Sequence, residues 1–220
     1  MKKLTVEKPI LFRPEMIRAL CDNKKTVTRR LVEPQPPGFV DWLEYIGRLD
    51  DSEKKYFRGY MQPGEPTVHH TRAKFWPGLL LWAKESWRAT HSLYIGPGYA
   101  VNFQYKAGGN MCLDTYSDIK TKRKDAEKYN HEYFASKAEW QSPLFMPRFL
   151  TRFLLKITDV KIERLHELDD IDAILEGTKN REDYARLWNE INGKSGYTWD
   201  KNPWVYRIQF ERVPDVGNAG

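Results

Sequence analysis

Residues 24–30 read KKTVTRR, four cations around two hydroxyls and a valine. Side chains of these types at this spacing serve one of three ends. They can form a solvated basic turn, grip phosphate through Lys24, Arg29 and Arg30, or edge a catalytic pocket. The placement of charge sharpens the question. Residues 1–31 hold nine Lys or Arg against three acids, whereas the remaining 189 residues balance at 27 against 27. The whole net charge of +6 therefore belongs to the segment carrying KKTVTRR. A local cationic field of this kind favours an anionic partner such as RNA or DNA.

Other motifs exclude more than they assign. The chain has no P-loop, no G-x-G-x-x-G, no paired C-x-x-C, no H-E-x-x-H and no serine in an elbow motif. His69-His70 lacks a cysteine or carboxylate at metal-ligand spacing and reads as loop, so no metal and no cofactor is expected. Cys21 and Cys112 make neither a disulfide framework nor a metal set. No apolar run approaches the ~18 residues of a membrane span. The opening MKKLTVEKPI has the lysines of a signal peptide without the hydrophobic segment behind them. A cytoplasmic protein with no membrane partner is expected.

The elements that must hold these residues follow from periodicity. Ile10 and Phe12 suggest a short extended piece, and Pro14 suits the first turn of a helix whose stripe is Met16, Ile17, Leu20 and Cys21. Asp22-Asn23 ends it, and β-branched Thr26, Val27 and Thr28 begin a strand running to Val32. GLLLWAKESW reads as a buried strand, and YAVNFQYKA as another with Val101, Phe103 and Tyr105 on one face. In RFLLKITDVKIERL the buried set slips from Phe153, Leu155 and Ile157 to Val160 and Ile162, which predicts a bulge or bend near Thr158-Asp159. DDIDAILEG is a short helix closed by Gly177, and NREDYARLWNEING a second with Asn180 as N-cap. WVYRIQFERV alternates, with Trp204, Tyr206, Ile208 and Phe210 inward.

Two excursions interrupt this order. Residues 33–77 are marked by EPQPPG, QPGEP and FWPG, and residues 107–141 by a charged tract. In the tract, Ala126, Tyr129, Tyr133 and Phe134 recur at helical spacing. Strands outnumber helices, and the helices fall irregularly between them, which argues against a doubly wound sheet. The expectation is an α+β chain: a small, mostly antiparallel barrel with flanking helices and two long insertions. It forms a single domain over 1–213 with a flexible tail at 214–220.

The segments KPILFRPEMIRALCDNKKTVTRR, PGLLLWAKESW, SPLFMPRFLTRFLLKITDVKIERL, DDIDAILEG and WDKNPWVYRIQFE, taken in this order, resemble the ASCH family, in particular its longer phage- and prophage-type members. They make up 80 of the 220 residues, a little over a third of the chain, and the two excursions carry no resemblance. The family fold is a β-barrel related to the PUA RNA-binding domain, so the resemblance implies a PUA-like barrel with a pocket for a nucleobase or nucleotide. Some members are amidohydrolases that remove an acyl group from a modified cytidine, using a Lys and a Thr of a K-T-x-T-x-R motif and a Glu from a later helix. Matched residue by residue, these are Lys25, Thr28 and Glu176, with Arg30 the motif's arginine. Other relatives are non-catalytic RNA-binding modules or ribonucleases, so the resemblance leaves all three activities open. The chain departs from the family at DNKK, where a Gly commonly precedes the basic pair, and at Leu79, where an Asp is usual.

The implied roles are chemically coherent. A threonine hydroxyl is a weak nucleophile until a base removes its proton. Lys25 becomes such a base if burial and neighbouring cations lower its pKa. Glu176, at the last turn of its helix, would hold a proton for the leaving amine. Because residues 25 and 28 project oppositely in a regular strand, Lys25 has to sit in the turn before it. Glu85 and Trp82, in LLLWAKESW, are further candidates to line the pocket and stack on a base. Each of these side chains also has an ordinary structural reading: surface cation, strand threonine, solvated helix carboxylate or core tryptophan.

Overall fold

The computed structural model describes residues 6–37, 40, 42–47, 54–62, 65–95, 98–114 and 131–213. In chain order the elements are β1 (Glu7–Leu11), α1 (Pro14–Cys21), β2 (Val27–Leu31), β3 (Trp42–Gly47), β4 (Tyr56–Gln62), β5 (Glu65–Arg72), β6 (Leu80–Lys84), β7 (Trp87–Ile95), β8 (Gly98–Tyr105) and β9 (Asn110–Asp114). They continue with α2 (His131–Ala135), β10 (Leu154–Arg164), α3 (Asp170–Leu175), α4 (Arg181–Asn192) and β11 (Trp204–Val213). The chain is thus a mixed α+β protein with sheets and few helices. The described residues fall into two compact units, one built from 6–7, 19–80 and 155–213, the other from 8–18 and 81–154.

In the first unit β10 pairs with β3, which leads through β4 to β5, and also with β11, which pairs in turn with β2. The β10–β3, β3–β4, β4–β5 and β11–β2 pairs are antiparallel. Among the described residues these pairings trace no closed barrel. The described part of the 33–77 excursion is therefore three strands. Its alternation is interrupted by register shifts between Tyr45 and Gly47, between Arg58 and Tyr60, and between Tyr60 and Gln62, which mask the period-2 signal. His69 and His70, expected in a loop, lie within β5, a correction with the same cause.

The faces of the β11–β2 ribbon matter most. Its register sets Val205 against Leu31, Arg207 against Arg29 and Ile208 against Thr28. Since neighbours alternate, Leu31, Arg29, Val205 and Arg207 share one face, and Thr28, Arg30, Tyr206 and Ile208 the other. The helices cover the first face: Ala173 of α3 with Tyr184 and Trp188 of α4 form one apolar cluster with Leu165, Leu168 and Val205. On the second face Tyr206 meets Phe57 and Phe75 edge-on, with ring centroids 5.9 and 5.4 Å away. Along β10, burial moves from Leu155 and Ile157 to Val160 and Ile162, the slip that the sequence predicts.

In the second unit β7, β8 and β9 form an antiparallel sheet. Val101, Phe103 and Tyr105 point together into a core with Trp87 and Phe134, whose ring stands edge-on to Phe103 at 5.2 Å. Of the helix expected around Ala126, Tyr129, Tyr133 and Phe134, the first two positions lie outside the described residues; the last two belong to α2. The tail 214–220 also lies outside them.

Asn180 stands at the N-cap of α4, and its Oδ1 accepts from the backbone N–H of Asp183 at 2.9 Å. Asn180→Ala leaves that donor unsatisfied. The expected loss is about 1 kcal/mol of stability, read as a lower urea midpoint with an unchanged slope.

Candidate active site

The turn between α1 and β2 positions Lys25. The backbone N–H groups of Lys24 and Lys25 donate to the Ala19 carbonyl at 2.8 and 3.1 Å, and Asn23 takes a left-handed conformation (φ 55) to reverse the chain. Lys25 thus precedes the strand rather than belonging to it, as the spacing requires. The N–H of Thr26 then donates to the Leu175 carbonyl at 3.0 Å, which fastens this turn to the C-terminal end of α3. Glu176 is the C-cap of α3, and Gly177 follows with φ +91. A Cβ at Gly177 would come within 2.7 Å of the Ala19 Cβ and 3.9 Å of Lys25. Glycine is what allows the two segments this close approach.

The consequence is a buried ion pair between residues 151 apart in sequence. Lys25 is 2% and Glu176 1% exposed. The Lys25 ammonium donates to Glu176 Oε2 at 2.7 Å, to the Glu176 carbonyl at 2.6 Å and to the Val27 carbonyl at 2.8 Å. Burial lowers the Lys25 pKa from its usual range; Glu176 opposes the shift, and Arg30 and Arg29 add to it. The other carboxylate oxygen, Oε1, accepts from the Tyr184 hydroxyl at 3.3 Å and lies 3.7 Å from Arg29 Nη1. Burial, then the charge of Glu176, raises the Tyr184 pKa well above its ordinary value, so the phenol keeps its proton.

Arg29 of β2 extends the network. Its Nε and Nη2 donate to Glu163 Oε1 at 2.9 and 2.6 Å, and Nη2 also donates to Asp172. Arg207, its register partner, donates from Nε and Nη2 to the two oxygens of Asp172 at 3.0 and 2.7 Å. Burial alone would raise the Asp172 pKa; the hydrogen bonds from Arg207 and Arg29 prevail and bring it to about 2. For Arg29 burial disfavours the charge, but Glu176 and Glu163 outweigh it and raise the pKa.

Thr28 is 1% exposed, and among the described residues its hydroxyl has no hydrogen-bond partner. An orphaned buried hydroxyl costs ~1–3 kcal/mol. The fold therefore joins Lys25 to Glu176 directly, and leaves Thr28 in the adjoining strand with no hydrogen bond to either. Arg30, on the same face as Thr28, is half-buried. Among the four cations of KKTVTRR only Lys24 is exposed; it pairs with Asp22 at 3.2 Å. Arg29 is thus an internal cation rather than a surface one.

Glu85 and Trp82 belong to the second unit. Glu85 is buried and accepts a forked pair from Arg152 Nε and Nη2 at 2.9 and 2.8 Å. Burial raises its pKa while Arg152 opposes the shift. Trp82 is half-buried, with Lys84 and Arg148 over its ring at 5.2 and 5.9 Å.

Sequence reasoning missed Glu163, Asp172, Tyr184 and Arg207. Two signals were present: Arg207 and Glu163 are charged residues inside alternating strands, and Asp172 lies in the first turn of α3, where a capping role explains it equally well. Among the described residues no group of three or more His, Cys, Asp or Glu is arranged to hold a metal, and no helix is long and apolar enough to cross a membrane. No family model, curated protein or solved structure matches the chain.

Removing one member of the buried pair strands the other. Glu176→Leu is expected to cost about 3–5 kcal/mol, whereas Lys25→Met combined with Glu176→Leu recovers most of that loss, as measured by urea unfolding. Asp172 gives a pH signature. Its folded pKa of about 2 lies below the ~3.9 of an unfolded Asp, so its stabilisation is complete above pH ~4 and disappears as the pH falls toward 2. Asp172→Asn should flatten that part of the stability–pH curve, followed by thermal unfolding at stepped pH.

Proposed function

We propose that the chain is an ASCH-type protein with a PUA-like fold, and that its site hydrolyses the amide of an acylated nucleoside. The observation that carries the reading is the 2.7 Å bond from Lys25 to Glu176, fully buried, two residues before the carbonyl-anchored start of the strand that bears the Thr28 hydroxyl, unpartnered among the described residues.

The chemistry turns on one proton. Moving it along the 2.7 Å bond from Nζ to Oε2 turns the amine into a base and the carboxylate into an acid together. Neutral Lys25 then takes the Thr28 hydroxyl proton, and Oγ1 attacks the acyl carbonyl carbon. The C–N bond breaks as Glu176 gives its proton to the departing nucleoside amine. This leaves an acyl ester on Thr28, an ammonium and a carboxylate. The carboxylate takes a proton from water, the resulting hydroxide attacks the ester, and Lys25 returns a proton to the threonine oxygen. The acid product leaves, and the neutral pair is restored. Arg30 shares the Thr28 face of β2 and supplies positive charge for the developing oxyanion. Hydrogen bonds of this kind are often unmade before substrate arrives, which accords with an unpartnered Thr28.

Burial of Lys25 and Arg29 also supports an enzyme over a surface that grips RNA or DNA, because those cations are withdrawn from phosphate. Purified protein incubated with a panel of acylated nucleosides should release the free nucleoside. Thr28→Ala and Lys25→Ala should each lower the rate by ~100-fold or more. Equal turnover by wild type and Lys25→Ala would remove the mechanism.

A further inference from the structure

The hydrolytic scheme uses one oxygen of the Glu176 carboxylate, Oε2, which shares the 2.7 Å bond with the Lys25 ammonium. The other oxygen, Oε1, is occupied as well. The Tyr184 hydroxyl donates to it at 3.3 Å, and Arg29 Nη1 lies 3.7 Å away. A glutamate carboxyl turns easily about its last bond, because that torsion is broad and roughly two-fold. A donor on Oε1 therefore fixes the plane in which Oε2 meets the ammonium.

That donor stands on a rigid base. Tyr184 lies one turn into α4, where its backbone N–H donates to the Asn180 carbonyl at 3.1 Å. Its ring is buried in the apolar cluster with Leu165, Ala173, Trp188 and Val205. Packing of the ring and the bond of the hydroxyl are separable, since phenylalanine keeps the first and deletes the second. The donors on Oε1 also keep their protons. Burial and the charge of Glu176 hold the phenol protonated, and a guanidinium does not give its proton up. Of the three side chains that meet this carboxylate, only Lys25 can exchange a proton with it.

We propose that Tyr184 is a positioning residue of this site: its hydroxyl holds Glu176 through Oε1, so that Oε2 shares its proton with Lys25 and with no other side chain. The catalytic consequence rests on the hydrolytic reading, whereas the hold on the carboxylate does not. The charged groups facing this contact are Lys25 from the turn before β2, and Arg29 and Arg30 from β2. Glu163 of β10 and Asp172 of α3 act through Arg29, and Arg207 of β11 through Asp172. Tyr184→Phe alters none of these groups, so their titration cancels when the variant and the wild type are compared at the same pH.

The test is urea unfolding of wild type and Tyr184→Phe at stepped pH, and of the same change added to Lys25→Met with Glu176→Leu. In the wild-type background at pH 7, Tyr184→Phe should lower the folding constant about tenfold, the effect of losing a hydrogen bond to a charged acceptor. In the background without the carboxylate the hydroxyl is stranded, so its removal should be neutral or stabilising. The loss in the wild-type background should also shrink as the pH falls, because a protonated carboxyl is a weaker acceptor. A hydroxyl that only fills space would give the same loss in both backgrounds or at every pH, and either result would overturn the proposal. The pH series needs only the conservative variant, so it decides even where the triple variant does not fold. With an acylated nucleoside that the wild type cleaves, Tyr184→Phe should lower kcat about tenfold and leave KM unchanged; a raised KM at unchanged kcat would count against positioning. No release by the wild type would remove the hydrolytic reading and leave the unfolding series to judge the hold on Glu176.

Discussion

An ammonium and a carboxylate that have both left water, Lys25 and Glu176, are the constraint on which this unit's arrangement depends. Two such charges are tolerated inside a protein only when geometry and further hydrogen bonds replace the lost hydration. Here the ammonium has an acceptor for each of its three N–H groups: a carboxylate oxygen and two backbone carbonyls. One of those carbonyls belongs to Glu176 itself and the other to the first residue of β2. The pair therefore fixes where α3 ends relative to where β2 begins. Gly177 and the Thr26 to Leu175 backbone bond hold the same two segments in that relation.

Around the pair the charges compensate. Lys25, Arg29 and Arg207 face Glu163, Asp172 and Glu176, drawn from the turn after α1, from β2, β10, α3 and β11. This changes the meaning of the chain's charge distribution. The excess of cations in residues 1–31 reads as a surface field when each charge is counted as solvated. Two of those cations are in fact neutralised inside by acids from the remainder of the chain, which looks balanced. Among the described residues the Thr28 hydroxyl, on one face of the β2–β11 ribbon, is left over and is then the informative group. Interiors rarely leave such groups unpaired without a ligand or a chemical role.

The second unit solves a similar problem differently. Glu85 is buried, but its partner Arg152 comes from a nearby loop, stacks on Tyr105 at 4.2 Å and forks both carboxylate oxygens. A planar guanidinium satisfies the carboxylate completely and cannot give up its proton. Lys25 is the contrasting choice: an amine whose pKa burial lowers, and which can exchange a proton with its acid.

Local chemistry alone determined a good part of this protein. Pro14 at the start of α1, Asn180 and Gly193 at the ends of α4, the inward stripe of β11 and the slip along β10 were legible because each depends on residues a few positions apart. The turn placement of Lys25 was legible too, from the opposite projection of residues 25 and 28 in a strand. Strands β3 to β5 were not, since register shifts and proline-rich flanks erase the alternation that announces a strand. Nor were the partners of the buried charges. Glu163, Asp172 and Arg207 carry no sign in the sequence of facing Arg29 across 134, 143 and 178 residues, and an acid solvated at a helix start spells the same as one locked between two arginines. Only the packing of α3 onto the β2–β11 ribbon decides between them, because desolvation depends on what covers a charge, and covering is a property of the whole fold.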